Sequence, residues 1–179
     1  ITPNGFELTH PPVLFRRYRH QQSQVNPIPG GEYDRILKHV PLKKYQHLFL
    51  CWLVACFVPN IQHPMPVIYG EKGSGKSTVC EIVKMIVDPS ALGTLVLQGA
   101  LRTMVVNLQQ HYLLPFDNID FISAETSDTL CRAVTGTGIQ QRKLHTNSDD
   151  VIFRFKRIIM MNGINQCATR ADLLDRSIL

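Results

Sequence analysis

Gly70-Glu71-Lys72-Gly73-Ser74-Gly75-Lys76-Ser77 matches the pattern G-x-x-x-x-G-K-[ST] at every fixed position, directly after the apolar run Pro66-Val67-Ile68-Tyr69. The glycines let the chain curl so that successive backbone N–H groups face one anion. Lys76 then offers an ammonium to β- and γ-phosphates, and Ser77 a hydroxyl to Mg²⁺. Residues 78–87 (TVCEIVKMIV) carry apolar side chains at helical spacing, which sets a helix N-terminus and its partial positive charge beneath the phosphates. Strand, loop and helix in this order specify a nucleotide-binding α/β fold, with residues 70–78, Thr78 included, as the nucleotide contacts. A plain glycine-rich turn between strand and helix is the alternative, and the strand and helix on either side weigh against it.

With 179 residues, the chain is long enough for one domain with a real core and too short for two comfortable ones. A hydrophobic fraction of 44% excludes a disordered chain. The longest apolar run, residues 48–58 (LFLCWLVACFV), is about half of the roughly 20 residues a membrane span needs, and it reads as a buried helix. The N-terminus lacks a signal-peptide pattern and begins without Met, so the sequence reads as a piece of a longer protein. Cys51, Cys56, Cys80, Cys131 and Cys167 are scattered and show no zinc-ligand spacing. Reduced thiols in a cytoplasmic protein are the expectation. The net charge of +5 is compatible with a polyanionic partner, and much of it sits in Arg16-Arg17-Tyr18-Arg19-His20 and in residues 142–157.

Along the chain, residues 1–31 read as an irregular leader with a short strand at 13–15, packed along something larger. Residues 32–62 form a helical segment, with helices at 33–39 and 43–58. The core, residues 63–179, continues past the phosphate helix with a short strand at 94–97 and a helix at 100–110. A strand at 111–116 then ends in Asp117. An aspartate at a strand's C-terminal edge, about forty residues after a phosphate loop, is the Walker B arrangement that holds Mg²⁺. A helix-capping role would be the alternative for a lone aspartate, and the phosphate loop upstream weighs against it. Ser77 and Asp117 are therefore the metal-site candidates. A helix at 127–134 stops at Thr135-Gly136, and a basic hairpin runs over 139–145 and 151–155, its cations otherwise a solvated strand face. A buried strand at 157–161 ends at Asn162, and a short helical segment carries Arg170, Asp172, Asp175 and Arg176.

This order of motifs is that of AAA+ ATPases. More narrowly, Pro11-Pro12-Val13-Leu14-Phe15-Arg16-Arg17, Leu114-Pro115-Phe116-Asp117-Asn118, Leu130-Cys131-Arg132-Ala133-Val134-Thr135-Gly136, Asn162-Gly163-Ile164 and Asp172-Leu173-Leu174-Asp175-Arg176, together with the phosphate loop, resemble the ATP-binding proteins of prophages and integrative elements. That group is similar to superfamily-3 and primase-associated helicases. The resemblance covers nearly the whole chain. It implies a three-layer α/β/α P-loop fold with a central, mostly parallel sheet, truncated before the helical lid, and an ATPase working with Mg²⁺ as a homo-oligomer, by expectation a hexamer. It implies Asn162 as the sensor that orients the attacking water, and Arg176, or else Arg170, as an arginine finger reaching a neighbouring subunit. Lys143 and His145 on the hairpin would contact single-stranded or duplex DNA.

The pattern is broken at Asn118, where AAA+ ATPases usually carry a glutamate that polarises water. An amide cannot accept a proton. Asp120 or Glu125 would have to supply the carboxylate, or the protein holds ATP mainly as a conformational switch or loader. A small-molecule kinase is a third class, and no acceptor pocket or mobile basic lid is recognisable for it.

Overall fold

A computed structural model of the protein describes residues 16–42, 44–142, 150–154 and 156–179. Its centre is a parallel sheet of four strands, β1 (Met65–Tyr69), β2 (Leu113–Phe116), β5 (Ile158–Gly163) and β6 (Ser177–Ile178), in the order β2-β5-β1-β6. Register pairs Ile68 with Asn162 and Tyr69 with Gly163 across β1 and β5, and Phe116 with Met161 across β2 and β5. The carboxyl ends of β1, β5 and β2 therefore lie side by side, with β5 inserted between two strands that precede it in the chain. In parallel α/β sheets ligands bind at such an edge.

Successive residues of β2 and β5 are buried on opposite faces. Leu114, Phe116, Ile159 and Met161 join Met65 and Val67 against α3 (Leu101–Gln110), α4 (Ala124–Thr135) and Leu173 of the short α5 (Ala171–Leu174). Leu113, Ile158 and Met160 face α1 (Gln46–Ala55) and α2 (Lys76–Val87). Helices on both faces explain why these strands read as continuous apolar runs rather than alternating ones. The result is the expected three-layer α/β/α fold of P-loop type.

Local chemistry sets the helix ends. Gly75 caps α2 at φ 83°, a left-handed conformation that a side chain would strain. The α4 helix begins three residues before the expected 127, because the Ser123 hydroxyl accepts the Thr126 N–H (3.2 Å) and caps the extra turn. Gly136 ends it in the left-handed conformation. The expected helix at 33–39 is a 3-10 helix, Tyr33–Lys38. The apolar run 48–58 is buried on one side only: Phe49, Leu50, Trp52, Leu53 and Cys56 are inside, whereas Leu48, Cys51, Val54, Phe57 and Val58 are exposed. The expected strand at 94–97 reduces to one bridge, in which Leu95 N donates to Pro115 O (2.8 Å) and Asp117 N to Leu95 O (2.9 Å). The next rung towards residue 97 would need the N–H of Ile119, which the Asn162 carbonyl takes instead (2.8 Å).

The hairpin forms as expected, with β3 (Ile139–Arg142) antiparallel to β4 (Asp150–Phe153). Lys143, His145 and the strand expected at 13–15 lie outside the described residues. The described part of the leader packs across the far end of α2, where Gln22 N donates to Pro89 O and Ala91 N to His20 O. Beneath it lies a buried polar cluster. The Lys84 ammonium donates to Asp88 Oδ2 (2.7 Å) and Leu113 O (2.7 Å) and meets His111 Nδ1 (3.1 Å), and the His111 ring lies 4.3 Å from that of His20. Asp88 Oδ2 also accepts the N–H groups of Tyr112 (2.8 Å) and Leu113 (3.0 Å). Burial alone would raise the Asp88 carboxyl, but the Lys84 ammonium and these two amides together hold it below its usual range. Among the described residues all five cysteines are free thiols, and no helix is long and apolar enough to cross a membrane.

Candidate phosphate and metal site

At the carboxyl edge of the sheet a cavity of about 600 Å³ is walled by Lys72, Gly73, Ser74, Gly75, Lys76, Ser77 and Thr78 on one side and by Asp117, Asn118, Asn162, Gly163 and Ile164 on the other. Three strand ends meet there because of the strand order, so residues forty and more positions apart in sequence converge. Lys76, the first residue of α2, folds back onto its own loop and donates to Gly70 O (2.8 Å), Glu71 O (2.7 Å) and Ser74 Oγ (3.3 Å). The Ser77 hydroxyl donates to Asp117 Oδ1 at 3.0 Å. A hydroxyl and a carboxylate oxygen at this spacing, beside a phosphate loop, form an oxygen donor pair suited to Mg²⁺, which keeps several waters and takes few protein ligands. Among the described residues no group of three or more His, Cys, Asp or Glu side chains able to hold a metal occurs.

Asn162 is 1% exposed and clamps the turn that follows Asp117. Its side-chain Oδ1 accepts the Asn118 N–H (3.0 Å), and its main-chain carbonyl accepts the Ile119 N–H (2.8 Å). Asn118 adopts φ 55°, a left-handed conformation that asparagine tolerates, and the chain turns there. Next in β5, Gly163 passes so close to this turn that an added Cβ would fall inside contact distance of the Ile119 carbonyl oxygen and 3.1 Å from Asn165 O. Ile164 O in turn accepts the N–H of Gly70 (3.2 Å), tying the end of β5 to the start of the loop.

A second cavity of about 540 Å³ shares Gly73, Ser74, Gly75 and Thr78 with the first and is closed by residues 37–41 and Gln46. The phosphate loop is thus the common wall between the two cavities, and Lys38 and His39 line the second beside Leu37, Val40 and Pro41.

The structure brings Lys76, Ser77, Asp117 and Asn162 together and leaves other candidates elsewhere. Gly70 and Glu71 reach the site through the carbonyls that hold Lys76. Asp120 is exposed outside the cavity wall, and Glu125 lines a separate crevice with Gln98 and Thr126. Asp117 is the sole carboxylate among the described residues lining the phosphate cavity. Arg176 stands at the opposite end of the sheet, where its carbonyl accepts the N–H of Met65 at the start of β1 (2.7 Å). Five residues of strand, roughly 16 Å, separate it from its own phosphate loop. Its guanidinium donates to Asp172 O (2.6 Å) and lies 3.8 Å from Asp175, while Arg170 lies 3.6 Å from Asp172. Sequence reasoning names Gly163 within the Asn162-Gly163-Ile164 motif but gives no role to it, to Cys80 or to the 37–41 wall. The Asn-Gly step after an apolar run is the available signal for Gly163, but it reads equally well as a turn.

The sequence pattern of the actinomycete integrative conjugative element replication proteins matches residues 34–179. The chain belongs to this family. Its fold is similar to that of JCV helicase in a crystal structure with a bound phenoxyphenyl acetamide, with a TM-score of 0.50 and 18% identity over 82% of this chain and 43% of that one. The replication-family chain thus spans less than half of the helicase chain, and at this identity the likeness is one of fold. No curated protein matches it significantly in sequence.

Proposed function

We propose that this replication-family chain is the ATP-binding core of an oligomeric AAA+ helicase that moves or opens DNA during replication of a mobile element. The observation carrying the reading is the Ser77–Asp117 pair, 3.0 Å apart across two strand ends and next to Lys76 and Asn162. Triphosphate oxygens would take the loop N–H groups and the Lys76 ammonium, with the base in the adjoining chamber against Val40 and Pro41. Mg²⁺, held by Ser77 and Asp117, would neutralise charge on the phosphates. Asn162 keeps one N–H and one lone pair beyond its two side-chain hydrogen bonds, enough to orient a water for in-line attack. Arg176 is too far from its own loop to serve it. A finger role therefore requires a neighbouring copy, which is the ground for proposing a homo-oligomer. Lys143 and His145, on the connection between β3 and β4, would hold single-strand phosphates.

A second reading, an ATP-loaded switch or loader with little turnover, is favoured by one observation. Neither Asp120 nor Glu125 lines the chamber where Asn118 replaces the expected glutamate. One experiment separates the readings: ATPase activity of the intact protein with and without single-stranded DNA, with its mass measured in ATP and Mg²⁺. DNA-stimulated turnover by an oligomer, lost in Lys76→Ala, supports the motor. Tight ATP binding without turnover, unchanged by Asp120→Ala and Glu125→Ala, supports the switch. No binding, or a Lys76→Ala protein equal to wild type, refutes both.

A further inference from the structure

Ser77, Cys80 and Lys84 lie on one face of α2, at spacings of three and four, and each bonds to a different part of the chain. Ser77 reaches Asp117 after β2, and Lys84 reaches Asp88 and the start of β2. Between them, Cys80 is fully buried, and its Sγ accepts a hydrogen bond from Asn162 Nδ2 at 3.3 Å. Burial pushes the thiol up to about 12, only partly offset by that bond, so the group is a neutral sulfur and not a nucleophile.

These bonds close a ring. From α2 it runs through the Ser77 hydroxyl to Asp117, along the backbone to Asn118, through the Asn118 N–H to Asn162 Oδ1, and from Asn162 Nδ2 to Cys80, back on α2. The Ile119 N–H on the Asn162 carbonyl braces the same turn. An amide held at one end swings about its Cβ–Cγ bond. Held at both ends, it presents Oδ1 to Asn118 in one orientation, and the Asp117 turn inherits that orientation. We propose that Cys80 is a positioning residue for the cation site, its sulfur fixing the Asn162 amide that sets the Asp117 carboxylate against Ser77.

The inference rests on the ATP reading for its functional consequence, but its structural half can be measured without nucleotide. The test uses the intact protein and the variants Cys80→Ala, Cys80→Ser and Asn162→Ala, with urea midpoints recorded to show that each is folded. Cys80→Ala should speed hydrogen exchange at the Asn118 amide by about three- to tenfold, the size of one neutral hydrogen bond. It should weaken the Mg²⁺-dependent part of the affinity for a fluorescent ATP analogue by a similar factor and leave metal-free binding unchanged. Cys80→Ser, which keeps an acceptor, should recover most of both effects, and Cys80→Ala should add nothing in an Asn162→Ala background. Unchanged Asn118 exchange in Cys80→Ala, a serine variant no better than alanine, or full additivity with Asn162→Ala would each overturn the proposal. A wild type that binds no nucleotide would defeat the ATP reading instead, and the exchange data would still judge the role of Cys80.

Discussion

The buried cluster at the far end of α2 makes stability depend on pH through His111. Its ring is 3% exposed, accepts at Nδ1 from the Lys84 ammonium, and faces His20 and Asp88. Burial first, then the nearby Lys84 and His20 charges, pushes its pKa down from 6.5 to about 4. The folded protein therefore prefers neutral His111. That stability is present above pH 6.5 and declines as pH falls towards 4, because the unfolded chain takes up a proton that the folded one refuses. Between pH 7 and pH 5 the loss amounts to about 2 kcal/mol for this one group. At a urea slope of about 2 kcal/mol per molar, the midpoint should fall by about 1 M. The measurement is urea unfolding at pH 7, 6 and 5 for wild type and His111→Asn. Asparagine places an amide oxygen near the position of Nδ1 and so keeps an acceptor for Lys84 without a titrating group. The variant should be less stable than wild type at pH 7 but should show little of the decline. Parallel declines in both proteins would refute the assignment.

Asp88→Ala should cost about 3–5 kcal/mol in urea unfolding, because it leaves the buried Lys84 ammonium without its carboxylate. Lys84→Met should cost less than half as much, since Asp88 keeps the Tyr112 and Leu113 amides, and equal losses would count against that ranking. Gly163→Ala should destabilise by about 2–3 kcal/mol, because the methyl group would force β5 and the Asp117 turn apart. A thermal scan of Gly163→Ser should show a loss at least as large, and a neutral alanine variant would contradict the close approach. Ser123→Ala should cost about 1 kcal/mol through loss of the α4 cap, read by the same denaturation, and Ser123→Asp should restore most of it.

Local chemistry made much of the fold legible. Residues 70–77 and Asp117 stand out in the sequence because their residue types fit the chemistry of a phosphate ligand, and the sheet edge that brings them to one cavity follows from the parallel topology. Gly136 and Pro89 stop helices where any reader would place the stops. The failures share a different cause. The strand at 94–97 looks plausible from its side chains, but its next rung needs the N–H of Ile119, which goes to the Asn162 carbonyl once β5 lies beside β2. The run 48–58 is apolar throughout, and nothing in it says that one side faces solvent. Cys80 reads as one more apolar position on α2, and its link to Asn162 exists only because β5 inserts between β1 and β2. Asp120 and Glu125 sit close to Asp117 in sequence, yet the left-handed Asn118 turns the chain so that neither enters the chamber.

The hold of Lys76 on Gly70, Glu71 and Ser74 bears on what the loop can accept. An incoming ligand must draw the ammonium away from three oxygens and leave two carbonyls to water, so binding measures an exchange rather than a gain. A nucleoside carries nothing to offer the lysine in return, and a monophosphate carries little. On the ATP reading proposed above, a ligand with densely charged terminal phosphates is the one best equipped to win that exchange. The loop would then grade ligands by charge density, and competing salt should erode affinity for a triphosphate more steeply than for a nucleoside.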